Sequence, residues 1–95
     1  MDFTYQGKPL LPTKVALDEL SNTDMDLYKV IEILEQGFAL RKRKKHIIEK
    51  AIKKGNKIIN IVVVDQGAYY KLIHVGEFSI NKKFMKLMRG NKNGF

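Results

Sequence analysis

Four consecutive apolar residues, Ile61-Val62-Val63-Val64, close a run rich in β-branched side chains that begins at Lys57. Side chains of a strand alternate between its two faces, so a strand that is apolar on both must be covered on both. The run 57–64 is therefore predicted as a central strand with helices over it. The next run, 68–75, alternates Tyr69, Lys71, Ile73 and Val75 against Tyr70, Leu72 and His74, the period of a second strand. Asp65-Gln66-Gly67 reads as the turn between them, and Gly76 as the end of the sheet.

Ahead of these strands the punctuation is helical. Asp2–Gln6 is predicted as a short edge strand, closed by Gly7 and then by Pro9 and Pro12, whose missing N–H groups end regular pairing. Thr13 is a fair N-cap for a short helix carrying Val15, Ala16, Leu17 and Leu20, with a stop at Ser21-Asn22. Thr23-x-x-Asp26 resembles a capping box, with Asp in place of Glu, opening a second helix through Leu27, Val30, Ile31 and Leu34. Gly37 is predicted to cap that helix in the left-handed conformation. The segment 41–54 supports two readings. Ile47, Ile48, Ala51 and Ile52 recur at helical spacing, while Ile48, Lys50, Ile52 and Lys54 share one face of a strand that would turn at Lys54-Gly55-Asn56-Lys57. Ile80, Phe84, Leu87 and Met88 predict a last amphipathic helix with Lys82, Lys83, Lys86 and Arg89 on its polar side, and 90–95 a frayed tail behind a single domain of 1–89.

The charges are partitioned. Residues 1–37 carry seven acids against three lysines, a net −4, whereas 38–95 carry fifteen Lys and Arg against three acids, a net +12. Such a field attracts polyanions, with counterion release from phosphates supplying affinity, so nucleic acid is the expected partner and RNA the leading form of it. Lysines outnumber arginines fifteen to three, so ordinary solvated surface competes with that reading. With no cysteine there is no disulfide framework, thiolate zinc site or cysteine nucleophile, and two histidines make a dedicated metal site or other cofactor unexpected. The opening MDFTYQGKPLLP lacks the basic and apolar regions of a secretory signal, and no apolar stretch approaches the roughly 20 residues of a membrane span, so a cytoplasmic protein without membrane contact is expected.

No phosphate-cradling glycine loop, H-E-x-x-H or G-x-S-x-G motif is present. What remains is a cationic and aromatic set. Arg41, Arg43, Lys44, Lys45, Lys71 and Arg89 are candidates for phosphate contact, and His46, His74 and Tyr70 for chemistry. Metal-independent RNA cleavage needs a base at the ribose 2′-OH, cations on the phosphate and an acid at the 5′-oxygen. His46 and His74 are the only side chains whose ordinary pKa lies near neutrality, and beside one groove they would divide base and acid roles with Arg41 and Arg43 on the phosphate. Taken singly, each histidine is more often a hydrogen-bonded sheet residue or part of a solvated charge run. Of Tyr69 and Tyr70, which point to opposite faces of a regular strand, one is core and the other is free to stack a base.

The run VALDELSNTDMDLYKVIEILEQGF, then a cationic stretch, then KIINIVVVDQGAYYKLIHVGEF, resembles a family of small prokaryotic domains distantly similar to RelE-type toxins, the metal-independent mRNA interferases. The likeness covers roughly residues 10–80 and lies in pattern rather than in an invariant motif. Members commonly open the first helix with Thr-x-His-Ala, and here Thr13-Lys14-Val15-Ala16 places Val15 at the histidine position. The resemblance implies two helices on a twisted antiparallel sheet, favours the strand reading of 41–54, and suggests Arg41, Arg43, Lys71 and Tyr70 as counterparts of the Lys, Arg and Tyr on the sheet of those enzymes.

The expectation is thus an α+β domain, with two N-terminal helices packed on a twisted antiparallel sheet of three to four strands and a basic C-terminal helix. The expected function is RNA binding with metal-independent endoribonuclease activity of toxin–antitoxin type, the partner an acidic antitoxin-like protein. The alternatives are a non-catalytic nucleic-acid or ribosome-associated module, and a protein-interaction subunit whose acidic helices and basic sheet bind a partner or form a homodimer.

Overall fold

The computed structural model describes residues 3–41 and 43–80. The chain runs β1 (Thr4–Tyr5), β2 (Lys8–Pro12), α1 (Lys14–Asn22), α2 (Leu27–Gln36), β3 (Phe38–Ala39), β4 (Ile47–Lys54), β5 (Lys57–Asp65) and β6 (Tyr70–Ser79). The strands form one six-stranded half-barrel sheet in the order β1-β2-β6-β5-β4-β3. β2 lies parallel to β6, and every other neighbouring pair is antiparallel. The architecture is α+β, but the sheet expected to be antiparallel with three to four strands is mixed and has six. The predicted C-terminal helix with Arg89, and the tail 90–95, lie outside the described residues.

β1 lies within the edge strand expected at 2–6; the two additional strands are β3, which follows Gly37, and β2, which comes from a segment whose prolines argued against pairing. Along β2, the N–H of Leu10 donates to Phe3 O of the β1 side (2.8 Å), and that of Thr13 donates to Leu72 O of β6 (3.0 Å). Strand N–H groups alternate in direction, so Pro9 lacks a donor that would face the β6 side before that pairing begins at Leu10. Pro12 lacks one that would face the β1 side beyond Phe3. Neither ring removes a bond the ladder uses. Gln6 and Gly7, at φ 52° and 80°, form the two-residue turn that joins β1 to β2, with both central residues in the region a type I′ hairpin requires.

Both helices are capped by their own sequence. Thr13 Oγ1 accepts from Ala16 N at 3.0 Å, and Asp26 Oδ1 accepts from Lys29 N at 3.0 Å. Thr23 therefore does not open α2 in a capping box. It closes α1, its hydroxyl donating to Glu19 O at 2.9 Å. Gly37 is likewise no left-handed cap, since its φ of −74° and ψ of 170° are extended. Its smallness matters instead, because a Cβ there would stand 2.5 Å from Ile33 O and 2.6 Å from Ala51 O.

Of the segment 41–54, for which the resemblance favours a strand, 47–54 form the strand and 45–46 lie in a turn before it. The strand turns through Gly55-Asn56 with positive φ only at Gly55 (63°), the pattern of a type II′ hairpin. β5 is central, and Ile59, Ile61 and Val63 meet Ala16 and Leu20 of α1 and Val30, Ile33 and Leu34 of α2. Fully burying one such side chain contributes about 1.5–3 kcal/mol, so this layer dominates the fold's stability. Tyr5 and Tyr70 close its end, ring centroids 5.1 Å apart, with Tyr70 OH donating to Gln6 Oε1 at 3.0 Å. Burial, then the neighbouring Tyr70 and Glu35, push the Tyr5 hydroxyl above its ordinary pKa.

On the other face, Leu40, Ala51 and Ile58 form a second small core with Phe38, Phe78 and Ile80. No helix among the described residues is long and apolar enough to cross a membrane.

Asp65 ties the β5–β6 turn to β2. Its Oδ1 accepts from Gly67 N at 2.9 Å and from Lys8 Nζ at 3.0 Å, and these bonds hold its carboxyl below the usual aspartate range, the Gly67 bond having the larger effect. A depressed folded-state pKa adds stability above the unfolded value and loses it as pH falls through the folded one. Asp65→Asn keeps an acceptor for Gly67 and removes the charge. Its melting temperature is expected to lie below wild type at pH 7, with a gap that shrinks as pH falls below about 4, measured by circular dichroism.

Candidate functional site

The alternation of β6 breaks at one residue. Val62 pairs with His74 but Val63 pairs with Leu72, so Ile73 is a bulge. A bulge inserts one unpaired residue and re-aims the side chains beyond it. Tyr70 and Leu72 point to the helices before it and Val75 after it, while His74 emerges on the face opposite α1 and α2. The face that regular alternation assigned to Tyr70, Leu72 and His74 together is thus divided, and Gly76 pairs with Asn60 inside the strand rather than ending the sheet.

His74 is held from α1. β6 outruns β2 beyond Leu72, and Glu19 covers the exposed edge, Oε1 accepting from Val75 N at 2.9 Å and Oε2 lying 3.1 Å from His74 Nδ1. A carboxylate only accepts, so Glu19 favours the neutral tautomer with its proton on Nδ1, which leaves the lone pair on Nε2. The His74 side chain is 45% exposed.

Beside it, Asn60 interrupts the apolar run of β5 and lies 95% buried, since its relative exposure is 5%. Its Nδ2 donates to Glu49 Oε2 at 2.8 Å, which turns its carbonyl oxygen the other way. A Cβ at Gly76 would stand 2.5 Å from that Oδ1 and 2.6 Å from His74 Nε2. With no Cβ, glycine leaves a notch that these two polar tips occupy. Glu49, opposite Val62 on β4, has a side chain only 1% exposed and is compensated by both arginines, with Oε1 2.9 Å from Arg41 Nε and 3.2 Å from Arg43 Nη1. The pairing of Arg41 through Nε leaves the terminal nitrogens of a side chain that is 58% exposed. Breaking a buried pair by removing one partner is costly, so Glu49 anchors this corner as well as orienting it.

Of the residues singled out from sequence, His74, Arg41 and Arg43 meet in this constellation, and Lys71 lies half-buried on the same face, opposite Val64. Lys44 and Lys45 are exposed before β4, apart from the notch. His46 stands at the far end of the sheet, its carbonyl accepting from Asp65 N at 2.8 Å. Two strands and three residue steps, on the order of 10 Å in each direction, separate it from His74. The two histidines do not share a groove. Tyr70 is 4% exposed and belongs to the core, not to this face. Glu19, Glu49, Asn60 and Gly76 were not singled out. Two signals pointed to them: an asparagine inside IINIVVV, and a lone acid between the cationic run and Lys50.

Comparison with protein-family models, curated proteins and solved structures finds no match to this chain.

Proposed function

We propose that the protein binds single-stranded cytoplasmic RNA on the face of its sheet opposite α1 and α2 and cleaves it without a metal ion, with His74 as the base. The observation that carries this reading is the Glu19–His74 pair, which presents an imidazole beside Asn60, whose partner Glu49 gathers Arg41 and Arg43, on a chain of net charge +8. His74 Nε2 takes the 2′-OH proton, O2′ forms its bond to phosphorus, and the P–O5′ bond breaks with the leaving oxygen protonated by water. A 2′,3′-cyclic phosphate and a 5′-hydroxyl result. Glu19 balances the imidazolium as it forms, and the arginine forks neutralise charge building on the phosphate. Glu49 positions those forks.

The test is fluorescence-anisotropy titration of a labelled single-stranded RNA and a DNA duplex from low to physiological salt, followed by a denaturing gel of the RNA in EDTA. Salt-dependent binding and EDTA-resistant cuts with cyclic-phosphate ends are expected. Binding with intact RNA would reduce the protein to a non-catalytic nucleic-acid module, and no binding at low salt would overturn the proposal.

A methyl group at Gly76 meets only side-chain tips. Gly76→Ala is therefore expected to slow cleavage by roughly 10²-fold through misplacement of His74. Its melting temperature should stay within about 5 °C of wild type.

A further inference from the structure

We infer that the notch over Gly76 reads the sugar edge of guanosine, so that the enzyme cuts on the 3′ side of G. This rests on the endoribonuclease reading above and names its substrate preference. Two buried or anchored carboxylates dictate the chemistry of the notch. Glu49 accepts from Asn60 Nδ2, so Asn60 presents its carbonyl oxygen, and Glu19 faces His74 Nδ1, so His74 presents a lone pair. Asn60 Oδ1 and His74 Nε2 stand 2.5 and 2.6 Å from the point a Gly76 Cβ would take, so the two tips lie side by side over that residue, and among the described residues neither takes part in a hydrogen bond. The oxygen of a nine-tenths-buried amide beside an imidazole nitrogen makes an acceptor pair. It accommodates a ligand edge carrying two donors.

On the sugar edge, adenine, cytosine and uracil offer acceptors (N3 or O2), and guanine alone adds a donor, the N2 amino group. The ribose 2′-OH lies on that same edge. Guanosine therefore presents two neighbouring donors, the 2′-OH for His74 Nε2 and N2–H for Asn60 Oδ1. At that place cytidine and uridine set the acceptor O2 and adenosine only a C2–H, so none of the three donates to the Asn60 oxygen as guanosine does. Asn60 cannot turn its amide to suit them without placing its carbonyl against the Glu49 carboxylate.

The experiment uses the wild-type chain and changes only the RNA. A mixed-sequence oligonucleotide is compared in EDTA with the same oligonucleotide carrying inosine, which lacks the N2 amine, at every G, and with one carrying 2,6-diaminopurine, which gains it, at every A. Cuts are expected 3′ of G, slowed about tenfold or more by inosine and newly appearing at diaminopurine, in line with the discrimination a paired base contact supplies. Asn60→Ala, where it folds, is expected to cut all four nucleotides alike. Cleavage that ignores both substitutions would overturn the guanosine reading and leave the endoribonuclease intact. Absence of cleavage in every RNA would overturn both.

Discussion

His74→Ala is expected to slow metal-independent RNA cleavage by roughly 10²–10⁴-fold, the range a positioned general base supplies. RNA affinity should change little, because Arg41, Arg43 and Lys71 remain on the same face. Single-turnover cleavage of end-labelled RNA in EDTA, run beside anisotropy on the same preparations, reads the two quantities separately. His46→Ala is the internal control. It removes the other histidine from an exposed turn at the far end of the sheet and should leave the rate at wild type. Equal cutting by His74→Ala and wild type would remove His74 from the mechanism. Loss of binding and cutting together would mean that His74 holds the RNA rather than activates it.

The second large effect concerns stability. Gly37→Ala is expected to destabilise the fold by about 3 kcal/mol, the upper end of the cost of overpacking. For a domain of this size, that lowers the melting temperature by on the order of 15 °C. The cause is not backbone conformation, since any residue adopts φ −74°, ψ 170°. A Cβ at this position meets two carbonyl oxygens of the main chain, Ile33 O at 2.5 Å and Ala51 O at 2.6 Å, which belong to the last turn of α2 and to β4. Neither yields without moving a helix or a strand, and Ala51 is fully buried. Thermal unfolding by circular dichroism checks this, and a shift under about 3 °C would show that the α2–β3 crossing gives way easily. The contrast with Gly76 is physical. There the obstructing atoms are side-chain tips, so the expected loss is one of function and not of fold.

Local order was legible in the residues because it obeys short periods. Thr13 and the apolar spacing of 15–20 specified α1, and the β-branched run 57–64 specified a central strand, each by contacts between near neighbours in sequence. The chemistry of the caps was legible but not always its owner. Thr23 was read as opening one helix, and its hydroxyl instead closes the other, because the choice depends on which backbone carbonyl lies within reach. His74 was legible as a residue type, as were Arg41 and Arg43. Their partners were not.

Those partners were decided by tertiary structure, for three reasons that no local pattern carries. The parallel pairing of β2 with β6 joins residues some sixty positions apart, and it is tolerated only because Pro9 and Pro12 lack donors on sides that face no strand. The bulge at Ile73 adds one residue to β6, and with a side-chain period of two that reverses which face receives His74. Glu19, fifty-five positions before His74, reaches it only because β6 outruns β2 and leaves an edge for α1 to cover. The sequence by itself determined the helices, the central strands and the basic character of the chain. Only the closed fold placed an imidazole, a buried amide and a missing side chain over the same point.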